Sequence, residues 1–227
     1  MPKQTYLPAV LFLILILMPG AAFCARTIET AQQIIMLDPG HGGALNGLIS
    51  PTGLKEKDIT LNLAKKTARK LEARYNVLMT RSNDINISAE ERISIANQKK
   101  AALFISIHLN HSNTPAAFFY YFDLSNTLGS TKNEPDGTWM STPLAHKSRN
   151  RQVAKQFAHF FSTRNPEIKT YIKEMPTIIL EGAAMPALLV EPLSISGLPS
   201  HPAQLETVLE LYAQLIADCA GHYLKNQ

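Results

Sequence analysis

The chain has 227 residues, of which 45% are hydrophobic, 18% charged and 7% aromatic, a balance typical of a globular protein that can bury one full core. A net charge of +4 and a pI near 9.0 favour adhesion to anionic polymers, but the basic residues are scattered and form no arm or stripe for nucleic acid. Two cysteines, Cys24 and Cys219, exclude a disulfide framework.

Residues 1–25 read as an export signal. Lys3 precedes the apolar stretch AVLFLILILM, then come a Pro19-Gly20 break and small residues around Ala22 to Ala25. The apolar run is too short to span a bilayer comfortably, so no permanent membrane span is expected. Phe23 is bulky where lipoprotein processing of Cys24 would want a small residue. Cys219, on the apolar face of the last helix, is a small buried hydrophobe in this reading.

One folded domain is expected over residues 33–225. It opens with a strand at Ile34 to Leu37, followed by Gly40-His41-Gly42-Gly43 and a loop through Gly53. Ile59, Leu63, Ala64, Ala68 and Leu71 recur at helical spacing, which predicts a helix from about Asp58 to Arg74. A strand at Asn76 to Thr80 follows. Ser88 and Glu91 have the spacing of a capping box, so a helix starts there and runs to about Lys99. Leu103 to Ile107 and Phe118 to Phe122 are the next strands. The polar stretch Asp123 to Thr142 is long for a structureless loop, and such loops are commonly lids, binding loops or disordered. A basic helix is expected from about Leu144 to Thr163. Strands are expected at Thr177 to Leu180 and Ala187 to Val190, and a final helix carries Leu205, Val208, Leu209, Tyr212, Leu215, Ile216, Cys219 and Tyr223 on one stripe. Strands alternating with helices make the fold class α/β: a single three-layer domain with a twisted, mostly parallel sheet flanked by helices.

Three apolar runs each end on a side chain that can bind zinc or move a proton. IIML precedes Asp38-Pro39-Gly40-His41, LFISI precedes His108, and ALLV precedes Glu191. Buried parallel strands read as continuous aliphatic runs, and open α/β sheets gather functional groups at the strands' carboxyl ends. One crevice therefore holds His41, His108 and Glu191, and Glu56 opens the helix that follows the first strand. Two imidazoles and a carboxylate with one open position make a catalytic zinc site. Taken singly, each residue has a plainer reading: a turn histidine, a helix-start carboxylate, a core histidine, a lysine partner. GHGG alone reads as a phosphate cradle, but no lysine-bearing P-loop follows it.

The segments LDPGHGG, GLKEKDITLNLA, TRSNDINISAEERISIAN, LFISIHLN and MPALLVE, in this order and spacing, resemble the zinc-dependent N-acetylmuramoyl-L-alanine amidases. The resemblance runs from Ile34 to the C-terminus. It implies one zinc ion and hydrolysis of the amide between the lactyl group of muramic acid and L-alanine in peptidoglycan. His41, Glu56 and His108 match the metal ligands, and Glu191 matches the catalytic acid. Asn110 matches a recurring position that bonds substrate or braces the site. Arg81 and Arg92 match a pattern expected to support the site through buried ion pairs. Asp38, beside the first ligand, is expected to orient an imidazole from behind. His111 reads as a loop histidine, and His146, His159, His201 and His222 as surface or capping groups. Glu181 is a further carboxylate marked only by position.

Three departures from the family pattern fall on the cleft walls. Pro192-Leu193-Ser194 replaces a glycine-phenylalanine pair after Glu191. The loop after GHGG lacks an aspartate, and EIKTYIKEMP lacks an arginine-glycine step. The expected protein is an exported, periplasmic enzyme whose partner is peptidoglycan, with any activator protein unspecified by the sequence. A metallo-peptidase cutting another cell-wall peptide bond and a non-catalytic wall-binding protein are the alternatives.

Overall fold

The computed structural model describes residues 32–122 and 146–227, together with Met1. The export segment, Cys24 and the stretch Asp123 to Thr142 lie outside the described residues. Gln32–Gln227 forms one unit built on a six-stranded sheet. Its strands are β1 (Ile34–Pro39), β2 (Asn76–Met79), β3 (Leu103–Ile107), β4 (Ala116–Tyr121), β5 (Lys169–Glu174) and β6 (Ala187–Glu191), in the order β2-β1-β3-β6-β4-β5. Every neighbouring pair is parallel except β4 with β6, which is antiparallel. The helices are α1 (Glu56–Leu71), α2 (Ala89–Gln98), α3 (Lys147–Arg164) and α4 (Pro202–Lys225). No helix among the described residues is long and apolar enough to cross a membrane.

The strand period of two divides the core into two layers. Ile35 and Leu37 of β1, Ile105 of β3 and Val190 of β6 pack with α1, α3 and α4. Met36, Phe104 and Leu189 point the other way, onto Ile93 and Ala96 of α2 and Leu180. The expected three layers are therefore present, with three helices on one face and one helix plus a short turn on the other. Cys219 is buried and unpaired in the first layer.

Helix boundaries follow the local chemistry. Ser88 caps α2 by accepting from the Glu91 N–H, as the capping-box spacing predicts. Helix α1 begins at Glu56, two residues before its expected start, without any capping side chain. The free N–H groups of Glu56 and Lys57 go instead to the carbonyls of Leu48 and Asn46 in the preceding loop. That solution leaves no mark in sequence.

Two segments after α3 differ from expectation. Thr177 to Leu180 is apolar, but Ile178–Leu180 forms a 3-10 turn beneath α2. The strand is β5, whose exposed, lysine-containing sequence pairs only with β4 at the edge of the sheet. An edge strand open to solvent needs no apolar run, so hydrophobic periodicity passes over it.

Candidate metal centre

The carboxyl ends of β1, β3 and β6 lie side by side, with the Gly40 N–H bonded to the Ile107 carbonyl and the His108 N–H to the Val190 carbonyl. These register bonds bring His41, His108 and Glu191 to one edge. The Thr60 hydroxyl of α1 donates to the Gly40 carbonyl, which ties the start of α1 to the same edge.

His41, Glu56 and His108 converge there, with one ligand atom from each lying within 4.8 Å of the others. Glu56 is the centre of the group, only 2% exposed and lying between the two imidazoles. His41 Nε2 lies 3.1 Å from its Oε2, and His108 Nδ1 lies 3.1 Å from its Oε1. The Leu48 N–H donates to Oε2 at 2.8 Å and the Leu109 N–H to Oε1 at 2.9 Å. Burial alone would raise the pKa of this carboxyl. Hydrogen bonds from His108, His41 and the Leu48 amide outweigh it and hold Glu56 far below the usual carboxylate range.

Glycines make room for this convergence. A Cβ on Gly40 would stand 2.5 Å from the His108 ring, and one on Gly47 would stand 2.5 Å from Glu56 Oε2 and from the His41 ring. His41 itself has φ 61, a left-handed backbone that is costly for a residue with a side chain. Its carbonyl is gripped by Arg92 Nη2 at 2.7 Å.

The three groups fit a divalent metal such as zinc. Zinc takes imidazole nitrogen and carboxylate oxygen, and donors about 2.0–2.1 Å from a tetrahedral ion stand about 3.3 Å apart, close to the two 3.1 Å separations found here. Each Glu56 oxygen is already oriented by a backbone N–H, the kind of support that metal-binding carboxylates commonly have.

Asp38 does not contact either imidazole among the described residues. Fully buried, it accepts from Thr80 Oγ1, Ser106 Oγ and Arg92 Nη1 at 2.6–2.7 Å. Its link to the site runs through Arg92, which spans Asp38 and the His41 carbonyl. Side-chain parity explains this: Asp38 shares the face of Met36, beneath the sheet edge and over α2. Arg81 is also buried, but it donates to the carbonyls of Pro39, Gly40, Lys57 and Asn83 and forms no ion pair among the described residues.

Asn110 braces the site. It is 5% exposed, with Nδ2 donating to the carbonyls of Ala116 and Glu191 and Oδ1 accepting from Ser112. Both donors of its amide are used inside the protein, which leaves none for a substrate. Glu191, at the end of β6, is half-buried, and Tyr120 Oη donates to its Oε2 at 3.1 Å. Burial raises its pKa most. The Tyr120 hydrogen bond, His108 and Lys173 pull it back, while Glu56 raises it further. Tyr120 and Lys173 escape a sequence reading because the antiparallel pairing of β4 with β6, and β5 itself, are visible only in the fold.

The remaining candidates lie outside the cluster. His111, His159, His201 and His222 are exposed, and His146 is half-buried at the start of α3. Glu181 faces Glu90 in a groove between α2 and the 3-10 turn, where burial and that neighbour raise its pKa. The departures are absorbed locally. Leu193 accepts from the Asn110 N–H, Ser194 bonds Ser112, and Asp84 secures the loop after GHGG by binding the Gly43 N–H and Lys57.

Residues 35–203 match the family model described as N-acetylmuramoyl-L-alanine amidase. Among curated proteins, the chain is 43% identical over 221 residues to the amidase AmiC of Neisseria meningitidis, covering 85% of this chain and 53% of that protein. It is 31% identical over 168 residues to the amidase LytC of Bacillus subtilis, covering 73% of this chain and 30% of that one. The chain thus spans about half the length, or less, of these two relatives. Among solved structures, the amidase AmiC2 of Nostoc punctiforme shares the fold with a TM-score of 0.67 at 24% identity, over 85% of this chain and 97% of that one.

Proposed function

The chain belongs to the N-acetylmuramoyl-L-alanine amidase family, and from that premise we propose that it hydrolyses the amide joining the lactyl group of N-acetylmuramic acid to L-alanine in peptidoglycan. The observation that carries this reading is the convergence of His41, Glu56 and His108 on one point, beside a Glu191 carboxyl held by Tyr120. His41, Glu56 and His108 would hold one zinc ion. When bound, the ion would supply Lewis acidity and lower the pKa of a water towards about 7, which would make an amide attackable near neutral pH.

The rest of the chemistry belongs to the chain. Glu191 takes the proton from the attacking water as the new carbon–oxygen bond forms, then gives a proton to the alanine nitrogen as the carbon–nitrogen bond breaks. Its raised pKa brings the carboxyl closer to the pH at which both transfers are needed. Asn110 fixes the Glu191 backbone, and Arg92 with Asp38 fixes the turn that carries His41. The substrate lies outside the cytoplasm, which agrees with the export reading of residues 1–25 and with a periplasmic location.

The zinc-loaded chain, incubated with purified muropeptides, is expected to release intact stem peptides, identified by mass spectrometry. Release of shortened peptides with the lactyl amide intact would favour the metallo-peptidase alternative. Zinc binding without any cleavage would favour a wall-binding role.

A further inference from the structure

Lys173 has no part in holding the metal or in moving the proton, yet the fold sets it beside Glu191. Tyr120 pairs with Lys173 across β4 and β5, and Phe118 pairs with Glu191 across β4 and β6. The Lys173 ammonium stands 4.9 Å from the Phe118 ring centre and 5.9 Å from that of Tyr120, whose hydroxyl bonds Glu191. Phe118 is stacked in turn on Tyr171, with ring centres 5.0 Å apart. Two electron-rich faces thus fix a long side chain that would otherwise sample many rotamers.

The ammonium is exposed and forms no ion pair among the described residues. Among the described residues, the α2 layer takes in side chains of β1, β3, β4 and β6 but none of β5. A cation pre-positioned by two aromatic faces, exposed and outside any ion pair among the described residues, next to the proton-transfer group, is suited to an anion on the substrate.

Resting on the amidase reading, we infer that Lys173 recognises a free carboxylate on the stem peptide. Glu191 protonates the amine that the peptide departs with, so a cation adjoining Glu191 on the side of β4 and β5 adjoins that peptide. A peptide carboxylate is the anion this position meets, and a carboxamide in its place offers no charge for the ammonium.

The test compares two muropeptides, one with free peptide carboxylates and one with those groups converted to carboxamides, on the zinc-loaded chain. Wild-type kcat/KM is expected to favour the free acid by about tenfold, the scale of one charge-assisted contact. In Lys173→Met the ratio falls to near one, and Lys173→Arg restores it. A ratio cancels any general effect of the missing charge on Glu191. A wild-type ratio near one overturns the inference while leaving the amidase reading intact, and so does a Lys173→Met that slows both substrates equally. If the wild-type chain cleaves neither muropeptide, the amidase reading fails and the inference fails with it.

Discussion

Arg92 holds the carbonyl oxygen of His41 at 2.7 Å, and His41 is a residue whose left-handed backbone needs holding. The same guanidinium bonds Asp38 at 2.7 Å, so one buried side chain joins the floor of the sheet edge to the turn that presents a candidate metal ligand. Removing one partner of a buried ion pair leaves the other charge uncompensated. Arg92→Met is therefore expected to lower stability by about 3–5 kcal/mol and to weaken metal binding as the turn relaxes. Denaturant unfolding with parallel zinc titration checks both. A variant of normal stability and normal zinc affinity would remove Arg92 from this role.

Gly47 has φ +66, and a Cβ there meets both Glu56 and His41. Gly47→Ala should push the carboxylate and the imidazole apart while the sheet and α1 stay intact. Zinc affinity is expected to fall by roughly 10- to 100-fold, the scale found when the support of metal ligands is disturbed. Circular dichroism should match the wild type. By contrast, Gly53→Ala, where nothing lies within 4 Å of the added carbon, carries only its backbone strain and should bind zinc normally.

The candidate ligands are legible in the sequence because β1 and β3 are buried on both faces and therefore appear as aliphatic runs followed by a histidine. Glu56 was placed by the helix signal that follows. The support of the site was less legible. Asp38 points towards α2 and bonds Arg92 rather than an imidazole, because the face on which an acid emerges depends on strand parity. Asn110 looked available to substrate, since nothing in HLN reveals that its amide spans two carbonyls from other strands. Tyr120 meets Glu191, and Lys173 comes alongside through its pairing with Tyr120, because β4 runs antiparallel to β6, a reversal that local sequence does not encode.

Lys66 is buried on α1 and pairs with Glu206 and Glu210 of α4, which links two helices of the first layer. For Glu210, hydrogen bonds from Lys66 and Lys70 depress the carboxyl from 4.5 to about 2. A carboxyl with a depressed folded pKa contributes stability above its unfolded value, and that contribution is lost as pH falls towards the folded value. The window is therefore pH 4.5 down to about 2. Lys66→Met removes the partner, so the stability difference between wild type and variant should drift against the wild type as pH falls through this window. Urea midpoints measured at several pH values check it. A constant difference would mean that the pair contributes no linkage.

Glu191 and His108 lie at the ends of adjacent strands, yet they should respond to mutation in different ways. His108 belongs to the cluster that could hold a metal, so on the proposed reading His108→Ala should lose zinc and turnover together. Glu191 accepts from Tyr120 and lies outside that cluster. Glu191→Gln keeps the shape and the Tyr120 contact but cannot take a proton. Turnover should fall by roughly 10²- to 10⁴-fold while zinc content stays at the wild-type level. The pH profile gives an independent reading. Burial raises the Glu191 pKa above 4.5, so the acid limb of wild-type kcat/KM should lie above that value. Tyr120→Phe removes a hydrogen bond that favours the carboxylate, and the limb should move to still higher pH. If Glu191→Gln loses its zinc, Glu191 is a ligand and Glu56 becomes the candidate base, reversing the assignment of the two carboxylates.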